Sequence, residues 1–267
     1  LNVKTTVDAL VAKHSAKDVL LVVDIDNTLL AMNQHLGSDQ WFSWQASIID
    51  TESTDRVASD FQGLLDVQGT LFALSGMHCP EPELPVYIEQ IQDAGVTTIV
   101  LTSRGPEFRD AAEREIKRNG YDFTRTPLRI REKRGRFMPF DPERPDVHGL
   151  SQSEMDSIKS RLGPVTYANG IYMTAGQHKG YMLKTLLART GDDQVTKRTF
   201  KGIVFVDDHS KHTTRMHEAF EGDATDLATF RYSREDGNVS NFNNSSKQHA
   251  VEDWSRLEAF INGVIVK

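Results

Sequence analysis

Three apolar runs in this chain do not alternate, and each ends in polar residues. They are "VLLVVDID" (19–26), "VTTIVLTSR" (96–104) and "KGIVFVDDHS" (201–210). A strand with one wet face alternates polar and apolar residues, whereas an unbroken Val, Ile and Leu run has to bury both faces. Helix-patterned segments precede the second and third runs. "LPVYIEQIQDAG" has Gly95 as its stop, and "HKGYMLKTLLARTGD" turns Leu183, Leu186 and Leu187 inward. Strands alternating with helices imply an α/β fold with a mostly parallel sheet flanked by helices. Ligands of such sheets bind at the carboxyl ends of the strands. Asp24 with Asp26, Thr102 with Arg104, and Asp207 with Asp208 would therefore meet on one edge.

At 267 residues the chain can bury one large core, with or without an inserted subdomain. Residues 33–85 break the strand–helix rhythm. "DQWFSWQASIID" and "ASDFQGLLDVQGTLFAL" read as helices of a small cap, leaving 1–32 and 86–267 as the core domain. The cap aromatics Trp41, Phe42 and Trp44 suit its own core more than a stacking platform. Residues 124–168 form an irregular excursion. Within it Ser151 and Glu154 set up a capping box, and "VTYANGIYM" is a hairpin about Asn-Gly. "REDGNVSNFNNSSKQ" reads as a polar loop before a docking C-terminal helix, "VEDWSRLEAFINGVI".

The net charge of −7 argues against a surface coated with nucleic acid, although "RIREKRGR" (129–136) offers a local basic rim. No apolar run approaches the roughly 20 residues that cross a bilayer, so no membrane span is expected. A single cysteine, Cys79, excludes an internal disulfide framework. The first residue is Leu1 rather than Met, which suggests a trimmed chain or a mature exported form.

Carboxylates two residues apart in extended chain point the same way, so Asp24 and Asp26 can face one pocket. Held a few ångströms apart, they resist joint ionisation unless a cation lies between them. Mg²⁺, a hard ion that takes oxygen ligands, would suit this pair plus Asp208. The alternative is a strand-end turn with Asn27 and Thr28 capping a helix. Thr102 as a hydroxyl donor and Lys179 as a fixed cation would complete a phosphoryl-binding site, with Ser103 and Arg104 beside an anionic substrate. Lys184 competes with Lys179, but the following glycine and the helix start favour Lys179. His209 and His212 read as solvated or substrate-edge residues rather than a zinc site.

"DIDNT", the threonine of "VLTSR", the Lys-Gly of "HKGYML" and the acidic "FVDD" resemble, in order, the four motifs of the haloacid dehalogenase (HAD) superfamily. The resemblance implies a HAD-like Rossmannoid core. It also implies a nucleophile at Asp24, an acid–base at Asp26, and Mg²⁺ held by Asp24, the carbonyl of Asp26, and Asp208, with Asp207 orienting Lys179. An aspartate at the second position of the first motif is similar to phosphatases; dehalogenases lack it and P-type ATPases carry Lys-Thr there. The Trp-rich continuation is similar to secreted class B and C acid phosphatases. "LGSDQWF" and "NGIYMTAGQHKG" resemble a poorly characterised, often exported bacterial HAD family.

The expectation is thus a Mg²⁺-dependent phosphomonoester hydrolase working through an aspartyl-phosphate on a small-molecule substrate, in the periplasm or secreted. The alternatives are a polynucleotide-end phosphatase, and a phosphate-binding protein with little turnover.

Overall fold

The structure, a computed structural model, describes residues 2–130, 135–190 and 199–265. The centre of the basic run, 131–134, lies outside them. In chain order the strands are β1 (Val19–Val23), β2 (Ala31–Met32), β3 (Met77–His78), β4 (Thr97–Thr102), β5 (Arg136–Phe137), β6 (Val165–Ala168), β7 (Ile171–Met173), β8 (Gly202–Asp207) and β9 (Asp226–Arg231). The helices are α1 (Asn2–His14), α2 (Asp39–Ile48), α3 (Phe61–Leu74), α4 (Leu84–Asp93), α5 (Arg109–Arg118), α6 (Gln152–Ile158), α7 (Lys179–Leu187), α8 (Ser210–Phe220), α9 (Asp236–Asn244) and α10 (Gln248–Phe260).

The fold is mixed α/β. Seven strands form one sheet in the order β5-β6-β7-β4-β1-β8-β9. The pairs β7–β4, β4–β1, β1–β8 and β8–β9 are parallel, and β5 and β6 add antiparallel pairs at one edge. β1 is central and every residue of it is buried, as its continuous apolar run requires. Val19, Leu21 and Val23 pack with Val7 of α1, Ile88 and Ile91 of α4, and Ile116 of α5. Leu20 and Val22 face the other layer, with Met182, Leu183 and Leu186 of α7 and Met216 of α8.

Local sequence sets several boundaries. Gly95 follows α4 at φ +84°, a conformation that costs glycine little. Asn169 and Gly170 both take positive φ in the β6–β7 hairpin, as a type I′ turn demands. The capping box of Ser151 and Glu154 starts α6. In the segment 33–85, Ser38 caps α2 and Asp60 caps α3 through their side chains. These helices bury Trp41, Leu64 and Leu71 in a separate small cluster that also takes Phe242 of α9 and Ala250 of α10.

The polar stretch read as a loop instead contains α9. Its single buried anchor explains the difference: the Phe242 ring lies 5.2 Å from His35 and 6.1 Å from Trp44, so tertiary packing overrides a poor local propensity. β9 was likewise not expected, because its residues are only half-buried.

Segment 33–85 is pinned to the core through Glu115. This buried carboxylate accepts from the Met77 amide at 2.8 Å and from Arg114 Nε at 2.9 Å. Burial pushes its pKa up, but the Met77 hydrogen bond and Arg114 outweigh that and hold it below the ordinary glutamate value. A carboxyl depressed in the fold stabilises it above the unfolded value, about 4.3, and loses that contribution as pH falls through the folded value. Glu115→Gln should therefore flatten the acid limb of the stability curve below about pH 4.3. It should also cost about 1–3 kcal/mol at neutral pH in urea unfolding. A wild-type acid limb in the variant would refute this assignment.

Candidate active site

The polar ends of β1, β4 and β8 do lie side by side, because β1 pairs in parallel with both neighbours. The ladder carries on through Asp24, whose amide donates to the Val206 carbonyl at 3.0 Å. Beyond it the chain leaves the sheet in a tight turn. The amides of Leu29 and Leu30 both donate to the Ile25 carbonyl, and Asn27 sits at φ 53°, a left-handed conformation that asparagine tolerates. The turn sends the two carboxylates to different partners.

Asp24 meets Lys179. The ammonium lies 2.8 Å from Asp24 Oδ1 and 2.6 Å from Asp207 Oδ2, and Lys179 is 0% exposed. His178 caps α7 by accepting from the Tyr181 amide, and this places Lys179 on the first turn facing the strand ends. Gly180 is needed beside it, since a Cβ there would meet the Arg215 carbonyl at 2.6 Å. Lys184 instead points to Glu154 at 3.1 Å and Asp223 at 3.6 Å.

Asp26 meets Arg104. Nε donates to one carboxylate oxygen at 2.9 Å and a terminal nitrogen donates to the other at 2.8 Å, a bidentate fork. The guanidinium stacks 3.9 Å over the Phe72 ring and reaches Met77 Sδ at 3.4 Å, both residues of segment 33–85. Thr102 is fully buried, and its Oγ1 accepts from the Arg104 amide at 3.1 Å. Ser103 is half-buried and lines a cavity of about 230 Å³ together with Asp26 and Arg104.

Carboxylate oxygens of Asp24, Asp207 and Asp208 all lie within 4.8 Å of one another. Burial is the largest influence on Asp24 and pushes its carboxyl well above the aspartate range; Lys179 opposes it, and Asp207, Asp208 and Asp26 add to it. Burial also pushes Asp208 up to about 7. Asp207 is held down, at about 2, because Lys179 and His212 outweigh its own burial. The His209 amide donates to Asp207 Oδ1 at 2.9 Å, and His212 Nδ1 lies 3.0 Å from it. Both Asp207 oxygens are thus committed. Asp208 is not: its Oδ1 is buried without a hydrogen-bond partner among the described residues, and Asn27 touches Oδ2 at only 3.4 Å. The donors of the cluster are all oxygens, the set a hard divalent cation takes.

Sequence reasoning took one contributor, His212, for a solvated or substrate-edge residue and missed another, Asp39. His212 buttresses Asp207, and Asp39 at the start of α2 bonds His209 Nε2 at 3.2 Å. Their hydrogen bond and the neighbouring carboxylates raise the His209 imidazole to about 9. The spacing of two histidines three apart after an acidic doublet is the signal that points to the first; Asp39 comes from a distant segment and leaves no local trace.

Removing the ammonium would strand two buried carboxylates against each other. Lys179→Met should cost about 3–5 kcal/mol of unfolding free energy in urea titration, far more than a surface lysine substitution. A midpoint within experimental error of wild type would show that the pair does not carry this load.

No curated protein matches the chain. Residues 3–264 match the model of the family described as "Protein of unknown function (DUF2608)", and the chain belongs to that family.

Proposed function

We propose that the protein is a Mg²⁺-dependent phosphomonoester hydrolase with a HAD-like catalytic apparatus. The observation that carries this reading is a buried ammonium fixed between Asp24 and Asp207, with the orphaned Asp208 Oδ1 beside them at the ends of parallel strands. A carboxylate placed to attack, a fixed cation and a set of oxygen ligands fit for a hard cation are the parts that phosphoryl transfer requires.

Asp24 and Asp208 would hold the ion. The Asp26 carboxylate is taken by Arg104, so only its main-chain carbonyl is left for that role. A bound Mg²⁺ supplies charge neutralisation and polarises the phosphoryl group. Asp24 attacks phosphorus; its carboxylate oxygen forms the new bond as the ester oxygen departs with a proton from Asp26. Water then attacks the aspartyl-phosphate, Asp26 takes its proton, and phosphate and free Asp24 result. Positioned proton transfer of this kind is worth roughly 10²–10⁴ in rate. Asp26 can carry a proton only when it leaves the Arg104 fork, and phosphoryl oxygens are the natural replacement ligands for that guanidinium. Lys179 keeps Asp24 oriented and offsets its charge, and Asp207 keeps Lys179 in place.

The test is phosphate release from a panel of phosphomonoesters with and without Mg²⁺. Chelation should abolish release, and Asp24→Asn should lower it by at least about 10³-fold while circular dichroism stays native. Binding without release by any panel member would favour the low-turnover reading. Preference for DNA or RNA ends with steep salt dependence would favour the polynucleotide one.

A further inference from the structure

The cavity beside Asp26 and Arg104 is an aromatic slot. Phe42 and Phe61 meet edge to face at 6.0 Å, and Phe72 and Phe108 do so at 5.3 Å. Phe61 is 52% exposed, so an apolar ring stands open to solvent beside a polar site. The volume of about 230 Å³ suits one substituted ring: a cavity of about 150 Å³ already takes benzene. Arg104 is the only cation among the described lining residues and Asp26 holds it, while Asp39 and Glu107 are also on the wall. A second anionic group on the ligand would find no free counter-charge there.

Gln68 of α3 adds a direction to the slot. It lines the cavity, is 3% exposed, and donates through Nε2 to the Gly37 carbonyl at 2.7 Å. A carbonyl only accepts, so this bond fixes which end of the amide is which. Oε1 is then left buried with no hydrogen-bond partner among the described residues. Gly37 is constrained in turn, with φ +81° and a Leu71 Cβ that would lie 2.9 Å from any Cβ added to it. A buried acceptor without a donor is costly, and a ligand that brings the donor relieves it.

We infer that the slot selects the leaving group, a single flat apolar ring, uncharged or cationic, with an N–H or O–H donor for Gln68 Oε1. The inference rests on the phosphomonoesterase reading for the phosphoryl end of the ligand. It makes Gln68 a specificity-determining residue and Phe61 part of the ring's seat.

Calorimetry on Asp24→Asn, and on wild type in chelator should that variant misfold, separates the two claims. The probes are 3-hydroxyphenyl phosphate, 3-methylphenyl phosphate and glycerol 2-phosphate. The hydroxy ring should bind about tenfold more tightly than its methyl isostere. Both rings should bind more tightly than the glycerol ester, and Phe61→Ala, at an exposed rim position, should shrink that gap by roughly three- to tenfold. Gln68→Met should bring the hydroxy-to-methyl ratio close to one. Equal affinity for all three, or no binding of any, overturns the inference. Ranked binding with no Mg²⁺-dependent turnover in wild type leaves the slot assignment standing and removes the hydrolase reading. Turnover without ranking does the reverse.

Discussion

The arrangement depends on one ammonium group. Lys179 has no exposed surface, and it touches one carboxylate just past the end of β1 and another at the end of β8. A buried charge of this kind is tolerated only when its partners are close and oriented. The partners hold each other through it: strand β1 positions Asp24, Lys179 neutralises part of it, and Asp207 fixes the lysine. His212 and the His209 amide then hold Asp207. Asp208, next in sequence and largely buried, is held more loosely: its carboxylate meets Asn27 at 3.4 Å and His209 at 3.8 Å, and its Oδ1 has no hydrogen-bond partner among the described residues.

The second carboxylate belongs to a different system. Asp26 is tied to Arg104, and Arg104 to Phe72 and Met77 of segment 33–85. The group proposed to move protons thus reports mechanically to the helices over the sheet, whereas the proposed nucleophile reports to the core. Phe72, Arg104 and Asp26 line the slot, whereas Asp24 and Lys179 are not on its wall.

How much of this was legible follows from where each signal is encoded. The buried strands were legible because a continuous Val and Leu run has few other uses. Their polar ends named Asp24, Asp26, Thr102, Arg104, Asp207 and Asp208 as neighbours, and parallel pairing brings these strand ends together. The capping box and the Asn-Gly hairpin are local and were equally readable. What escaped is non-local. Asp39 meets His209 across 170 residues, and β2 meets β3 across a chain segment that holds two helices. α9 escaped because it is held by one ring, Phe242, in a run of asparagine and serine. The extended geometry expected after Asp24 also gave way: β1 ends at Val23 and the chain turns at Ile25, so Asp24 meets Lys179 while Asp26 meets Arg104.

The register between β1 and β8 has a consequence of its own. Val23 stands opposite Val206, so Asp24 and Asp207, each one residue further on, share the next position of that register. Neighbouring strands lie about 4.8 Å apart, and that spacing is not adjustable by side-chain substitution. Slipping the pairing by one residue would turn Asp207 to the opposite face, because the side-chain period is two. The separation of the two carboxylates is therefore quantised by backbone hydrogen bonding. A lineage carrying this sheet can retune its chemistry by exchanging what surrounds the two carboxylates, but it inherits the ruler unchanged.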